Sequence, residues 1–147
     1  MTTNKRETGT FLGEFHYVRF GNGREYLVIL PGMTLENEPP NRLSARTYRL
    51  GVGRFAEGHT VYVINRRRNL PPHYTTREMA ADYARVTEEE LGSSSVMGFS
   101  TGGPIAQHVA MDHPGLGRRL WPSSSVPPAC RRSAGPTGKD PARTSKT

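Results

Sequence analysis

Cysteine is almost missing from this chain. Among 147 residues there is one, Cys130, so neither an internal disulfide nor a cysteine-built metal site is open to it. Apolar residues make up 34% and mean hydropathy is −0.63, too little for the whole length to be packed core. No apolar run approaches the roughly 18 residues of a helical membrane span. The opening stretch, MTTNKRETGT, has no apolar segment of the kind a secretory signal carries. These absences predict a cytoplasmic chain, away from membranes, with no cofactor and no metal.

Negative charge is scarce at one end. Residues 121–147 hold five of the 20 basic residues and one of the 13 acidic ones, so the net charge of +7 is largely a property of that stretch. The same stretch, WPSSSVPPACRRSAGPTGKDPARTSKT, is rich in Pro, Ser and Gly and has no hydrophobic period. It cannot bury enough apolar surface to offset the entropy of ordering. Two regions are expected: a folded part over residues 1–120 and a disordered basic tail over 121–147. With no interleaved aromatics and no known module, the tail is not read as a nucleic-acid site.

What is present reads as alternating strands and helices. Residues 1–9 are polar and expected to fray. Phe11–Phe20 is predicted as one strand in which Phe15, Tyr17 and Arg19 face one way and His16, Val18 and Phe20 the other, with His16 half-exposed. Gly21-Asn22-Gly23 is a turn, and local rules make it a hairpin to the next strand. That strand, Glu25–Leu30, is nearly all apolar in its second half, as suits a strand buried on both faces of a parallel sheet. It stops at Pro31-Gly32-Met33. A helix over Leu43–Glu57, capped by Asn41 or Ser44, is weakened by Gly51 and Gly53, each costing about 1 kcal/mol in a helix interior. Thr60–Asn65 is a further strand, and Arg66, Arg67 and Arg68 after it read as a solvated loop, with binding of an anionic substrate as the sharper reading. Thr75 and Glu78 form a capping box for a helix over 76–91, which Gly92 ends. No metal site is seen in Glu88, Glu89 and Glu90.

The stretch that organises the chain follows. A β-type run, Ser94–Met97, passes straight into Gly98-Phe99-Ser100-Thr101-Gly102 and then into a helical segment carrying Ile105, Ala106, Val109 and Ala110, which Pro114-Gly115 ends. G-x-S-x-G between a strand and a helix is the pattern of a nucleophile elbow. The turn is too tight for a side chain at either flanking position, hence Gly98 and Gly102, and it raises the serine hydroxyl above the first turn of the helix.

With the Pro-Gly strand end at 31–32, the strand Val61-Tyr62-Val63-Ile64-Asn65-Arg66, the capped helix and this elbow, residues from about Phe11 to Leu120 resemble the α/β-hydrolase superfamily. The resemblance implies a partial α/β-hydrolase fold, a mostly parallel sheet with helices on both faces. In that arrangement the strand at 60–65 inserts between those at 11–20 and 25–30, which overrules the hairpin. It also implies that Ser100 is the nucleophile of an ester- or acyl-cleaving hydrolase working through an acyl-enzyme on a small-molecule substrate. The backbone N–H groups of Met33 and Thr101 are then the oxyanion-hole donors.

The sequence departs from the family after the elbow. The triad order is Ser, then Asp or Glu, then His, and the residues available after Ser100 are His108, Asp112, His113 and Asp140. His108 lies eight residues along the elbow's own helix, about 12 Å away by helical rise, and is expected on the helix surface. His113 is expected at that helix's C-terminus and Asp140 in the tail. His73 could approach from a strand end only by breaking the family's order. The triad acid and base are therefore unassigned. Arg118-Arg119-Leu120 starts another strand that Trp121-Pro122 is expected to stop, leaving the Ser100 strand as an apolar edge open to self-association. The expected picture is the front part of a truncated or frameshifted hydrolase with low or no activity as it stands. The alternative is a non-catalytic interaction protein that keeps the half-fold and binds an acidic partner through its tail, marked by salt-dependent binding lost on deleting 121–147.

Overall fold

The run Tyr26-Leu27-Val28-Ile29-Leu30 has no polar residue to turn toward water, so a strand made of it must be covered on both sides. The computed structural model, which describes residues 7–32 and 42–123, shows how. The elements in order are β1 (Glu7–Phe11), β2 (Phe15–Phe20), β3 (Glu25–Leu30), α1 (Arg42–Val52), a 3-10 turn (Gly53–Glu57), β4 (His59–Ile64), α2 (Thr76–Glu90), β5 (Ser94–Phe99), α3 (Gly102–Asp112) and β6 (Gly117–Ser123). The six strands form one sheet in the order β1-β2-β4-β3-β5-β6. β4, β3, β5 and β6 run parallel, and β1 and β2 join antiparallel at one side.

Successive β3 residues serve opposite layers, as the two-residue strand period requires. Val28 and Leu30 pack with Ile64 and Val96 under α2 and α3, against Ala80, Tyr83, Val86, Ile105, Ala106 and Val109. Leu27 and Ile29 pack with Val18, Phe20, Val61, Val63 and Met97 on the other face, where Val52 and Ala56 belong to α1 and the 3-10 turn. Each fully buried aliphatic side chain here is worth about 1.5–3 kcal/mol of transfer free energy. The partial α/β fold with helices on both faces is as the sequence implied.

Four sequence readings need correction or refinement. The single strand over 11–20 is a hairpin: β1 pairs with β2 from Glu7 opposite Arg19 to Phe11 opposite Phe15. The chain reverses at Leu12 and Gly13, both at positive φ (49° and 71°), which matches the twist of paired strands. Leu12 gave no turn signal, which is why the run looked continuous. His16 is buried rather than half-exposed, its Nδ1 2.9 Å from the Thr10 Oγ1 across the hairpin. As the resemblance implied, β4 lies between β2 and β3, and the Gly21-Asn22-Gly23 turn closes no hairpin. Its glycine at φ 76° instead packs on backbone, where a Cβ on Gly21 would collide with the carbonyls of His59 and Ala56. The helix expected over 43–57 tightens from α to 3-10 at Gly53. Ser44 lies inside α1 and is not its cap, while Asn41 falls outside the described residues.

The fourth correction bears on the site. β6 runs through Trp121 and Pro122, pairing Met97 with Trp121 and Gly98 with Pro122. Proline is tolerated because β6 is the outermost strand of the described sheet, and its open side has no ladder bond to lose. β5 is therefore an interior strand and not the exposed edge expected. The expected tail beyond residue 123 falls outside the described residues.

Candidate active site

β5 is buried from Ser94 to Gly98, Phe99 is half-buried, and Ser100 is exposed. Ser100 stands at φ 51°, in the left-handed region that costs a non-glycine residue on the order of 1–3 kcal/mol. The surroundings hold it there. Its carbonyl accepts from the Gly103 N–H at 2.9 Å, closing the turn into α3. A Cβ on Gly98 would collide with the carbonyl of Gly102 and lie 2.8 Å from the Gly103 nitrogen, and one on Gly102 would strike the Leu30 carbonyl. Both collisions are with backbone, which has nowhere to move. The two glycines are thus required by close approach, the strand to the helix in one case and the helix to the end of β3 in the other.

That second contact brings the Pro31-Gly32 strand end beside the serine. A Cβ on Gly32 would sit 3.1 Å from the Ser100 Cβ and 3.6 Å from its Oγ. The strand end thus flanks the hydroxyl. The next residue, Met33, expected as an oxyanion donor, falls outside the described residues. Thr101 sits at φ −62°, ψ −20° as the N-cap of α3, but its side chain caps no helix N–H. Its Oγ1 instead accepts a 2.8 Å hydrogen bond from Arg66 Nη2.

The three arginines after β4 are not a uniformly solvated loop. Arg67 donates to Glu14 at 3.1 Å and lies 3.7 Å from the Asp82 carboxylate, and the Arg68 N–H donates to the Glu14 carbonyl. Tyr74 donates to Asp82 at 2.7 Å. Burial and that bond push its phenol up to about 12. Burial pushes the phenol of Tyr83, which donates to the Ile64 carbonyl, higher still, while the charge of Arg66 acts in the opposite direction. The loop between β4 and α2 is therefore fastened to the β1–β2 turn and to α2, and Arg66 reaches past the end of β3 to the elbow.

Among the described residues no hydrogen bond joins the Ser100 hydroxyl to a histidine or a carboxylate. His73 is exposed in the loop after Pro71-Pro72 at φ 62° and makes no hydrogen bond to the elbow. His108 lies midway along α3, half-buried rather than on the surface, with its Nδ1 buried and lacking a hydrogen-bond partner among the described residues. His113 is the C-cap of α3, its N–H bonded to the Val109 carbonyl, where a positive charge suits the helix dipole. Asp112 is taken by Arg77 in a two-pronged bond at 2.7 Å from both Nε and Nη2. That pairing holds its carboxyl below the usual range and ties α2 to α3, so Asp112 is not free to orient a histidine. Asp140 falls outside the described residues. Among the described residues no cluster of three or more His, Cys, Asp or Glu is arranged to hold a metal ion, and no helix is long and apolar enough to cross a membrane.

A parallel sheet, helices on both faces and a strained serine between strand and helix define a partial α/β-hydrolase fold. Solved structures place it in the same way. The epoxide hydrolase CorEH is 26% identical with a TM-score of 0.59, over 79% of this chain and 40% of its own. ALR0039 of Nostoc sp PCC 7120, described as an α/β hydrolase, is 21% identical with a TM-score of 0.60, over 81% and 42%. A loop variant of the haloalkane dehalogenase DbeA from Bradyrhizobium elkanii is 19% identical with a TM-score of 0.58, over 79% and 38%. The relationship over the part present is to the α/β-hydrolase superfamily, and the chain spans less than half the length of these neighbours. No protein-family model matches the chain, and no curated protein does.

Proposed function

We propose that this chain is the front part of a serine hydrolase that cleaves ester or acyl bonds with Ser100 as nucleophile. The observation that carries the reading is the Ser100 backbone at φ 51°, a strained conformation kept at an exposed hydroxyl by two glycines that pack on backbone. Strain of this kind has a use when a side chain must be presented to a substrate. The Ser100 hydroxyl would attack a small-molecule carbonyl, and the oxyanion formed would lie between the N–H groups of Thr101 and Met33. Collapse of that oxyanion would break the bond to the substrate's alcohol or amine, which leaves with the serine's proton, and water would then cleave the acyl-enzyme to the acid and restore the hydroxyl.

The same geometry limits what the chain does alone. Without a base, a serine site retains only about 10³–10⁴-fold over water from oxyanion hole and binding. Acid and base are assigned to the part of the fold that the neighbours have and this chain does not span. An open frame with a late Asp and a Gly-His in the downstream coding DNA would support that, and early stops in every frame would count against it.

A fluorophosphonate probe tests the nucleophile. The expected outcome is slow labelling of folded protein that disappears in Ser100→Ala, with circular dichroism showing both proteins folded. Folded wild-type chain that takes no label removes the reading and leaves a non-catalytic module. A label retained in Ser100→Ala places the reactive group elsewhere.

A further inference from the structure

The three arginines after β4 differ in how their charge is met. Arg67 has Glu14 and Asp82. Arg66, next to it, is half-buried and has no carboxylate partner among the described residues; its one hydrogen bond there is from Nη2 to the Thr101 hydroxyl, 2.8 Å away. Its Nε is fully buried and meets no acceptor among the described residues. A buried guanidinium N–H without an acceptor is destabilising, and so is a half-buried cation without a counter-charge.

Position gives this charge a role. Arg66 follows β4, reaches across the end of β3 and ends on the residue after Ser100. Its guanidinium therefore lies at the carboxyl ends of the parallel strands, where ligands gather in open α/β sheets, one residue from the exposed hydroxyl. A structural brace for Thr101 would need only one neutral hydrogen bond, and a neutral donor would supply it without burying a cation.

We propose that Arg66 is a specificity-determining residue that receives a carboxylate of the substrate, so that the site favours acyl or ester substrates bearing a monoanionic carboxylate a few atoms from the carbonyl attacked. The proposal rests on the serine-hydrolase reading for the word substrate, but the anion site itself is read without turnover. Arg66 donates to the carboxylate through its terminal nitrogens, while Thr101 keeps the guanidinium plane in place.

The test is NMR titration of the isotope-labelled full chain with sodium butyrate and, separately, butyramide, following arginine Nε–H signals and the Thr101 amide. Butyrate is expected to shift the Arg66 Nε–H and Thr101 signals saturably, with butyramide about tenfold weaker or without effect. Arg66→Gln is expected to abolish the butyrate response at Thr101. Equal responses to the two probes in the wild-type chain overturn the proposal, with no variant needed. So does a butyrate response at Thr101 that survives in folded Arg66→Gln. Ser100→Ala should keep the butyrate response. A chain that binds butyrate but takes no fluorophosphonate sustains the anion site and overturns only the nucleophile reading. A chain that labels at Ser100 but does not distinguish the probes overturns the anion site alone.

Discussion

Two strand ends meet above the same sheet, and they are held by different physics. At the end of β5 the elbow is shaped by exclusion: Gly98 and Gly102 are there because backbone occupies the space a Cβ would need. At the end of β4 the loop is shaped by attraction, with Arg66, Arg67 and Tyr74 each fixed by a polar partner 8 to 53 residues away in sequence. The first kind of constraint is local and tolerates no substitution. The second is long-range and yields gradually.

The sharpest way to break that contrast is Gly98→Ala. Its methyl meets the Gly102 carbonyl and the Gly103 nitrogen, so the elbow must open or the helix must shift. Urea unfolding is expected to show a loss of about 3 kcal/mol, with fluorophosphonate labelling of Ser100 lost. A Gly98→Ala protein of wild-type stability that still labels would show that the strand-to-helix contact is not needed.

A smaller effect is expected from Thr75→Ala, which removes a local but soft constraint. The Thr75 hydroxyl accepts from the Glu78 N–H at 3.2 Å and the Glu78 carboxylate accepts from the Thr75 N–H at 2.7 Å. Losing the cap should cost about 1 kcal/mol in the same unfolding experiment, without altering the labelling rate of the folded fraction. A change in that rate would mean the start of α2 is coupled to the elbow.

The mildest perturbation is pH, and it addresses the β4 loop. Tyr74 has its phenol raised to about 12 by burial and by donation to Asp82, so its proton is held more tightly in the folded chain. The stability it contributes is complete below the unfolded tyrosine's pKa, about 10, and is lost as pH rises through the folded value. Between those limits the wild-type protein should lose stability slightly faster with pH than Tyr74→Phe, and phenolate absorbance should show one fewer late-titrating tyrosine in the variant. Parallel stability curves for the two proteins would show that the Tyr74–Asp82 bond does not anchor the loop.

The contrast also explains what could be read from the sequence. The elbow was legible because its rule is steric and written in five consecutive residues. The apolar half of β3, the capping box at Thr75 and Glu78 and the place of β4 in the sheet were legible for similar reasons, as short patterns with one physical outcome. The roles of the three arginines were not. Nothing adjacent to Arg66 announces Thr101, and nothing adjacent to Arg67 announces Glu14 and Asp82. Leu12 at positive φ hid the β1–β2 turn, since leucine carries no turn signal. Pro122 misled because proline argues against an interior strand but not against an outermost one, and position in a sheet is a property of the fold.

β6 has a practical consequence. Its Trp121 is the one tryptophan in the chain, and by register it stands opposite Met97, three residues before Ser100. The unmodified protein thus carries its own optical probe on the strand that seals the elbow's flank. Emission anisotropy, with no dye attached, would follow whether that strand stays docked while the rest of the sheet is challenged.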